Sequence, residues 1–363
     1  MKSLILHFRK LDWVLITSAL LLVIFGLLLI YSIAFGKGDF LIFKKQIFLG
    51  LIGFILIVVL SFFDWRMLRE SPYFILILYF LCLAILTGLF FFASKTRGTV
   101  GWYKLGLFSF DPIEPTKIIL IILLAKYFSM RHVEMYRLRH IFLSGFYVLL
   151  PALLIFLQPN LGSTLILAAL WVGVLVISGI KLRHFLILIF CGLLISILGW
   201  SFFLEGYQKE RIISFVVPKT DPLGMSWSQT QSKIAIGSGG IFGQGLFHGS
   251  QAQYGFLPEA HTDFIFAAIA EELGLIGVLV LFLLFIVLIY RIMKIAINSQ
   301  SNFSRLFASG FVIILISQLF IHIGMNLGIL PVIGISLPFV SYGGSGLIAL
   351  CIGLGILQSI KTH

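Results

Sequence analysis

The 363-residue chain is 60% hydrophobic and only 11% charged, whereas a soluble domain carries about 25% charged residues. This composition excludes an ordinary soluble fold and predicts one integral membrane domain over residues 1–363. The formal net charge of +12 does not indicate nucleic acid, because most basic residues flank apolar runs, where they contact lipid headgroups. The three cysteines lie inside apolar runs and predict packing residues, not a disulfide framework or a metal cluster.

Ten apolar runs approach the length of about 20 residues that a transmembrane helix needs. They lie at residues 12–33, 46–63, 72–94, 116–130, 141–157, 161–179, 185–204, 263–290, 304–325 and 339–360. We therefore expect an all-α polytopic membrane protein of about ten transmembrane helices, with a long loop at 205–262 between spans seven and eight. Short loops on the side of the N-terminus are the richer in Lys and Arg, which predicts cytoplasmic termini and an extracytoplasmic long loop.

The outside segment 95–117 combines basic, acidic and aromatic residues with turn formers. Pro112 suits the start of a helix, where its missing N–H costs nothing. Glu114 and Lys117 are then three residues apart on one helix face, dipping into the membrane. Two interpretations stay open: an ion pair that only packs helices, or a cation aimed at a phosphate with the carboxylate holding its position. Arg97 would add positive charge to the same surface.

The loop 205–262 is too polar to span a membrane and long enough to suggest a function. Its stretch 226–236 predicts a short amphipathic helix at the interface, with Trp227 at headgroup level and Lys233 facing anions. Glycines crowd residues 237–249, but no Gly-Lys-Ser/Thr follows them, which argues against a nucleotide P-loop. The alternative is a flexible extracytoplasmic lid without chemistry.

The end of this loop, residues 259–263, is called the mouth below. Asp263 stands there at the start of a long apolar run, and ionisable groups at membrane depth are costly enough to be functional hypotheses by default. Glu259 and His261 precede it, and Glu271 and Glu272 follow it within the run. The crowding of ionisable groups predicts chemistry at this mouth.

Two glycine-containing segments mark further corners. In residues 337–346, Pro338 and the glycines predict an unwound helix start whose N–H groups favour an anion, with the Ser341 and Tyr342 hydroxyls nearby. The alternative is that these glycines only allow close helix packing. Residues 158–164 predict a tight outside turn that contains Asn160.

Four ordered motifs carry a family resemblance across nearly the whole chain. They are residues 111–117 (Asp-Pro-x-Glu-Pro-x-Lys), 158–162 (Gln-Pro-Asn-Leu-Gly), 256–274 (with Pro-Glu-Ala-His-Thr-Asp-Phe and Glu-Glu-Leu-Gly) and 337–345 (Leu-Pro-Phe-Val-Ser-Tyr-Gly-Gly-Ser). Together they resemble the shape, elongation, division and sporulation (SEDS) family. Segments 247–253 and 331–334 resemble its cell-elongation branch more than its division branch. One departure is Asn160, where the family usually has Asp, so that any carboxylate role there is absent or has moved to Asp111.

The resemblance implies a peptidoglycan glycosyltransferase that polymerises lipid II outside the bacterial cytoplasmic membrane. It also implies a class B penicillin-binding protein as partner in the elongation complex, a divalent cation (Mg²⁺ or Mn²⁺) and no organic cofactor. Such a reaction needs a base and cations that stabilise the leaving diphosphate. Asp263 is the predicted base. The predicted substrate-binding residues are Lys117, Glu114, Arg97, Lys233, His261, Glu259 and Ser341.

Two other classes of function stay open. Ten spans with intramembrane charges also suit a transporter that flips lipid II. A transporter, however, needs polar groups along a path between both faces, and the unusual residues here gather on the outer side. A non-catalytic scaffold of a cell-wall complex is the third interpretation, under which Asp263 is dispensable.

Overall fold

The computed structural model describes residues 2–93, 101–106, 108–130, 138–203 and 225–363, together with residues 206, 209, 213 and 215. The predicted all-α architecture is confirmed. The helices are α1 (Lys2–Lys10), α2 (Trp13–Lys37), α3 (Leu41–Ser61), α4 (Arg66–Glu70), α5 (Pro72–Phe92), α6 (Ile113–Ser129), α7 (Leu138–Leu157), α8 (Leu161–Ile177), α9 (Leu182–Leu198), α10 (Met225–Gly239), α11 (Ser250–Gln253), α12 (Ile265–Asn298), α13 (Asn302–Leu327) and α14 (Gly344–Thr362). A π-helical turn, Gly199–Phe203, continues α9, and a two-stranded antiparallel hairpin, β1 (Tyr103–Leu105) and β2 (Phe108–Phe110), precedes α6.

Within the described residues, eight helices are long and apolar enough to cross a membrane, so the chain is a polytopic membrane protein. They are α2, α3, α5, α7, α9 with its π-helical turn, α12, α13 and α14. The two other predicted spans, 116–130 and 161–179, correspond to α6 and α8, which have 17 residues each. At 1.5 Å per residue such helices reach about 26 Å, the short end of what a bilayer core requires. The count of ten spans therefore stays a prediction.

The centre of the molecule is formed by α6, α13 and α14. α13 packs against α6, α8 and α12, and α14 packs against α3. Small residues allow the close approaches: a Cβ on Gly26 would overlap the Val340 carbonyl, and one on Gly353 would overlap the Phe311 ring. Glycine at such positions lets membrane helices pack closely where apolar burial alone gives little drive. α9, by contrast, presents exposed apolar side chains along most of its length.

The long helix α12 is broken at Gly274, whose backbone (φ 65°, ψ −162°) is not helical. The glycine-rich tract 239–245 completes the interrupted backbone hydrogen bonding. Four bonds of 2.9–3.2 Å join the two segments: Gln244 N–H to Glu271 C=O, Gly245 N–H to Glu272 C=O, Leu275 N–H to Gly240 C=O, and Ile276 N–H to Ile241 C=O. Broken helices are tolerated at membrane depth when neighbouring groups satisfy the freed backbone in this way. The tract is thus a docked structural element.

Two buried carboxylates of α12 anchor the same loop. The Glu271 carboxylate accepts hydrogen bonds from the N–H groups of Gln251 (2.7 Å) and Ala252 (3.1 Å). The Glu272 Oε1 accepts from Ser32 Oγ (2.8 Å) and Gln253 Nε2 (3.0 Å). Both glutamates are fully buried. The expectation that they belong to the reactive mouth is corrected, since their carboxylates hold α11 and α2 against α12.

Candidate active site

Asp263 lies in a tight turn that leads into α12. The carbonyl of Glu259 accepts the N–H groups of both Thr262 (3.0 Å) and Asp263 (3.1 Å), and Glu259 itself has a left-handed backbone (φ 49°). A non-glycine residue in that conformation costs of order 1–3 kcal/mol and persists only where its surroundings require it. The Asp263 side chain is partly exposed at this mouth, so a base there is both positioned and accessible.

The other two ionisable groups of the mouth, His261 and Glu259, lie close to each other. His261 Nε2 is 3.9 Å from Glu259 Oε2, and both side chains are partly exposed. Asp263 faces the backbone of the loop between α13 and α14: a Cβ on Gly334 would lie 3.8 Å from its Oδ2. Gly334 has φ 69°, a conformation that suits glycine. The backbone segment next to the Asp263 carboxylate thus has a glycine, Gly334, at the point of closest approach.

The second predicted group of charges is an ion pair on α6. Lys117 Nζ lies 2.6 Å from Glu114 Oε1, and only 2% of the lysine side chain and 14% of the glutamate side chain are exposed. The predicted pairing on one helix face is confirmed. Breaking a buried pair by removing one partner leaves an uncompensated charge, so this pair is a fixed feature of the site. Gly346 lies next to the Glu114 carboxylate, and a Cβ there would be 3.6 Å from its Oε2.

A short segment, residues 341–346, connects the mouth with this ion pair. At one end the Tyr342 N–H donates to the His261 carbonyl (2.8 Å). At the other end Ser345 Oγ accepts the Asp111 N–H (2.8 Å), just before Gly346 contacts Glu114. Four residues of backbone reach at most about 14 Å. The mouth and the ion pair therefore flank one short segment at the start of α14.

Asp111 lies three residues before Glu114 in the sequence. Its Oδ1 accepts the Ile113 N–H (2.9 Å) before α6 begins. Burial raises the pKa of Asp111, and the negative charge of Glu114 raises it further, while the Ile113 N–H and the charge of Lys117 act in the opposite direction. Two neighbouring carboxylates and one ammonium group thus share this end of α6.

The remaining predicted substrate-binding residues are Lys233, Ser341 and Arg97. Lys233, on α10, is exposed and lies along Gly328, the left-handed residue that ends α13; a cation is favoured at such a C-terminus by the helix dipole. Ser341 is buried, donates its hydroxyl to the Thr262 carbonyl (2.7 Å) and accepts the Leu337 N–H (2.9 Å). Arg97 lies outside the described residues. Substrate binding by these three residues stays a prediction.

Asn160 has a local structural role. Its side chain caps α8 by accepting the Ser163 N–H at 3.1 Å, a role that Asn and Asp fill about equally well. The next turn packs against the loop before α14, since a Cβ on Gly162 would meet the Ile335 side chain. The absence of a carboxylate at Asn160 therefore leaves the corner intact.

Sequence reasoning missed two amide side chains that support the site. Asn326 of α13 is fully buried and donates to the Asp263 carbonyl (3.0 Å). Gln46 of α3 is almost fully buried, and its Nε2 donates to the Ser341 carbonyl (3.3 Å). The only sequence signal was a polar amide inside an apolar run, which is expensive in a membrane unless it is hydrogen-bonded.

The fold and the site together define a polytopic membrane protein with a cluster of ionisable groups in the turn before α12 and an ion pair at the start of α6. The sequence profile described as "Cell cycle protein", which covers FtsW, RodA and SpoVE, matches residues 12–363. The chain belongs to this family. It is 39% identical over 355 residues to the peptidoglycan glycosyltransferase MrdB of Escherichia coli, covering 97% of this chain and 94% of the relative. It is 33% identical over 368 residues to stage V sporulation protein E of Bacillus subtilis, covering 97% of both chains.

Solved structures agree with this assignment. A chain from a peptidoglycan synthase complex superposes with a TM-score of 0.82 at 30% identity, covering 97% of both chains. The rod shape determining protein RodA of Thermus thermophilus superposes with a TM-score of 0.71 at 28% identity, covering 97% of this chain and 96% of the other. The resemblance to the SEDS family, and to its elongation branch, is confirmed.

Proposed function

We propose that the chain is a peptidoglycan glycosyltransferase that polymerises lipid II during cell-wall elongation. It works in the bacterial cytoplasmic membrane, with both termini in the cytoplasm and the mouth on the extracytoplasmic side. The proposal is supported by the segment 341–346, which bonds to the mouth at the His261 carbonyl and lies next to Glu114 of the Glu114–Lys117 pair. The partly exposed Asp263 belongs to the same mouth. Asp263 and the ion pair together supply the base and the positive charge that the reaction needs.

The reaction forms a bond between a sugar hydroxyl of one lipid II molecule and the anomeric carbon of another lipid II molecule. The bond from that carbon to the diphosphate breaks, and undecaprenyl diphosphate leaves with the electron pair. Asp263 takes the hydroxyl proton as the new bond forms, which is the work of a general base. Glu259 and His261 lie next to it and shape the site for the acceptor sugar.

The leaving diphosphate needs positive charge. Lys117 supplies it from α6, held by Glu114, because a fixed cation in a water-poor site stabilises developing negative charge without reorganisation. Only 2% of the Lys117 side chain is exposed. Lys117 therefore acts through its electrostatic attraction for the diphosphate, and it can bind a phosphate oxygen directly by giving up its contact with Glu114. Arg97 and Lys233 would add charge from the outer surface.

A divalent cation, Mg²⁺ or Mn²⁺, is a further part of the proposal. Among the residues that the structure describes, no group of three or more His, Cys, Asp and Glu side chains is arranged to hold a metal ion. Mg²⁺ at phosphate sites usually binds through one or two carboxylates and the substrate phosphates, without an all-protein cage. Asp111 and Glu114 fit that smaller role, because their mutual repulsion would be relieved by a cation. The ion would supply positive charge to the diphosphate.

We further propose that the enzyme works with a class B penicillin-binding protein in the elongation complex. The support is the similarity to a chain of a solved peptidoglycan synthase complex. The polymer would then be made beside the protein that crosslinks it.

The test is an Asp263→Asn variant, purified with the penicillin-binding partner and assayed for polymer from labelled lipid II. We expect polymerisation to fall by about 10²–10⁴-fold, the usual contribution of a general base, while lipid II binding is retained. Glu70→Gln is the matched control, because it removes an exposed carboxylate that is remote from Asp263 in the sequence; this variant should polymerise normally. Normal polymer formation by Asp263→Asn contradicts the base assignment. Labelled lipid II that crosses liposome membranes without polymer would support a flippase instead.

A further inference from the structure

We infer that Asn326 is the positioning residue for Asp263: its buried carboxamide replaces a backbone hydrogen bond at the start of α12 and thereby holds the proposed base. The inference rests on the proposed function, because it assigns Asn326 a role through Asp263. No motif of the sequence pointed to this residue.

The bond pattern around Asn326 is specific. In a regular helix the Asp263 carbonyl would accept the N–H of the residue four positions later, Ala267. Here the Asn326 carboxamide lies between them: its Nδ2 donates to the Asp263 carbonyl (3.0 Å), and its Oδ1 accepts the Ala267 N–H (3.2 Å). The next step of the helix, from Ala268 N–H to the Phe264 carbonyl, is direct (3.1 Å).

The orientation of the carboxamide follows from its partners. Nδ2 also lies 2.8 Å from the His322 carbonyl, so both of its neighbours are acceptors. Oδ1 faces an N–H group, which is a donor. An amide side chain offers two donors on nitrogen and acceptors on oxygen, so a carboxylate of the same shape cannot satisfy this set of contacts.

Asn326 is itself held in place by the extracytoplasmic helix α10. Its own carbonyl accepts the Ser232 hydroxyl (2.8 Å), and Gln229 Nε2 donates to the Leu330 carbonyl (2.9 Å) just beyond the end of α13. These side chains satisfy carbonyls that a helix C-terminus leaves without intrahelical partners. Asn326 thus links three elements. Its main-chain carbonyl binds α10, and its carboxamide joins α13 to the first turn of α12 at the residue that carries the base.

Loss of the carboxamide would affect geometry at Asp263 more than it affects substrate binding. Without it, the Asp263 carbonyl and the Ala267 N–H lose a buried partner, and the turn must shift to find others. A displacement of about 1 Å in a catalytic group can cost about 10²-fold in rate. Among the residues that the structure describes, Asn326 hydrogen-bonds to the backbone of Asp263 and to no predicted substrate-binding side chain, so the substrate affinity is expected to change little.

The experiment compares Asn326→Leu with Gln318→Leu in the full-length protein bound to its penicillin-binding partner. Gln318 lies on the same face of α13 two turns earlier and is also almost fully buried, so it matches the change without touching Asp263. For Asn326→Leu we expect kcat to fall at least about ten-fold, with KM and lipid II affinity within about two-fold, the pattern of a lost transition-state interaction. Gln318→Leu should keep kcat within about two-fold.

Asn326→Asp is the second variant, and it serves alone if Asn326→Leu does not fold. It retains shape and the acceptor for Ala267 but sets a carboxylate oxygen against the Asp263 carbonyl, so kcat should again fall at least about ten-fold. A kcat within two-fold of wild type in either folded Asn326 variant, or equal losses in the two Leu variants, overturns the inference.

The outcome for Asp263→Asn separates the two proposals. If Asp263→Asn polymerises normally, the proposed base is wrong. If it is inactive while both Asn326 variants turn over normally, only the positioning role is wrong. In an Asp263→Asn background the Asn326→Leu change should cause no further loss, because residues that act as one unit are non-additive.

Discussion

The backbone N–H of Tyr342 donates to the carbonyl of His261 at 2.8 Å, and this bond fastens the start of α14 to the mouth. Four residues later, Gly346 lies against the Glu114 carboxylate. The mouth and the Glu114–Lys117 pair are far apart in sequence but are connected through this one segment.

Lys117→Met should lower polymer turnover and weaken lipid II binding, because it removes the buried cation that the proposal assigns to the diphosphate. It should also destabilise the protein, by roughly 3–5 kcal/mol, since Glu114 is left buried without its partner. The double variant Lys117→Met/Glu114→Gln removes both charges and should recover thermal stability without recovering turnover. Unchanged lipid II affinity and turnover in either variant would rule out the role of Lys117.

Ser341→Ala should lower the melting temperature, because the Thr262 carbonyl and the Leu337 N–H each lose a hydrogen-bond partner. A buried group left unsatisfied costs roughly 1–3 kcal/mol. Ser18→Ala is the control, since the buried Ser18 hydroxyl donates to the Leu15 carbonyl of its own helix. If Ser341 binds substrate, lipid II affinity falls as well; a melting shift with unchanged affinity assigns it a structural role only.

Gly239→Ala should destabilise the protein and lower its activity, because a Cβ at this position would overlap the Ala270 carbonyl where the glycine-rich tract docks on α12. Gly237→Ala, two residues away on the same helix, meets no atom within 4 Å and should be neutral or slightly stabilising, as alanine is the better helix former. Thermal unfolding in detergent measures both. Equal melting temperatures for the two variants would show that the tract does not dock as described.

Asp111→Asn should raise thermal stability at neutral pH. Burial raises the pKa of Asp111 above its unfolded value, so the stability that this group contributes is complete below the unfolded pKa, about 3.9, and is lost as the pH rises through the folded pKa. Asn keeps the oxygen that accepts the Ile113 N–H but carries no charge. The gain should therefore shrink towards about pH 4.

Asp64→Asn gives the opposite sign and serves as the control for Asp111→Asn. The Arg66 N–H lowers the pKa of Asp64, and the Arg66 side chain lowers it further. The contribution of Asp64 is thus present above its unfolded pKa and is lost as the pH falls through its folded pKa. Asp64→Asn should reduce stability at neutral pH. If both variants change the melting temperature at neutral pH in the same direction relative to wild type, the opposite pKa shifts of Asp111 and Asp64 are contradicted.

Local patterns explain which predictions succeeded. Apolar runs determine membrane helices because each backbone polar group must be satisfied within the segment, and the Glu114–Lys117 pairing follows from helix spacing alone. Glu271 and Glu272 show the limit of such reasoning. Their charge and position resembled a reactive cluster, but the groups that they bind come from residues 250–253 and from α2, which no local pattern connects to them.

The sequence by itself determined the membrane class, the approximate helices, the family and the residues at the mouth, because hydropathy and short motifs are properties of neighbouring residues. Only the tertiary structure decided that residues 341–346 join the mouth to the ion pair, that the glycine-rich tract completes the broken α12, and that Asn326 holds the Asp263 carbonyl. These contacts connect residues tens to hundreds of positions apart. Their partners are chosen by packing and by the need to satisfy every buried polar group, which operate only in the folded chain.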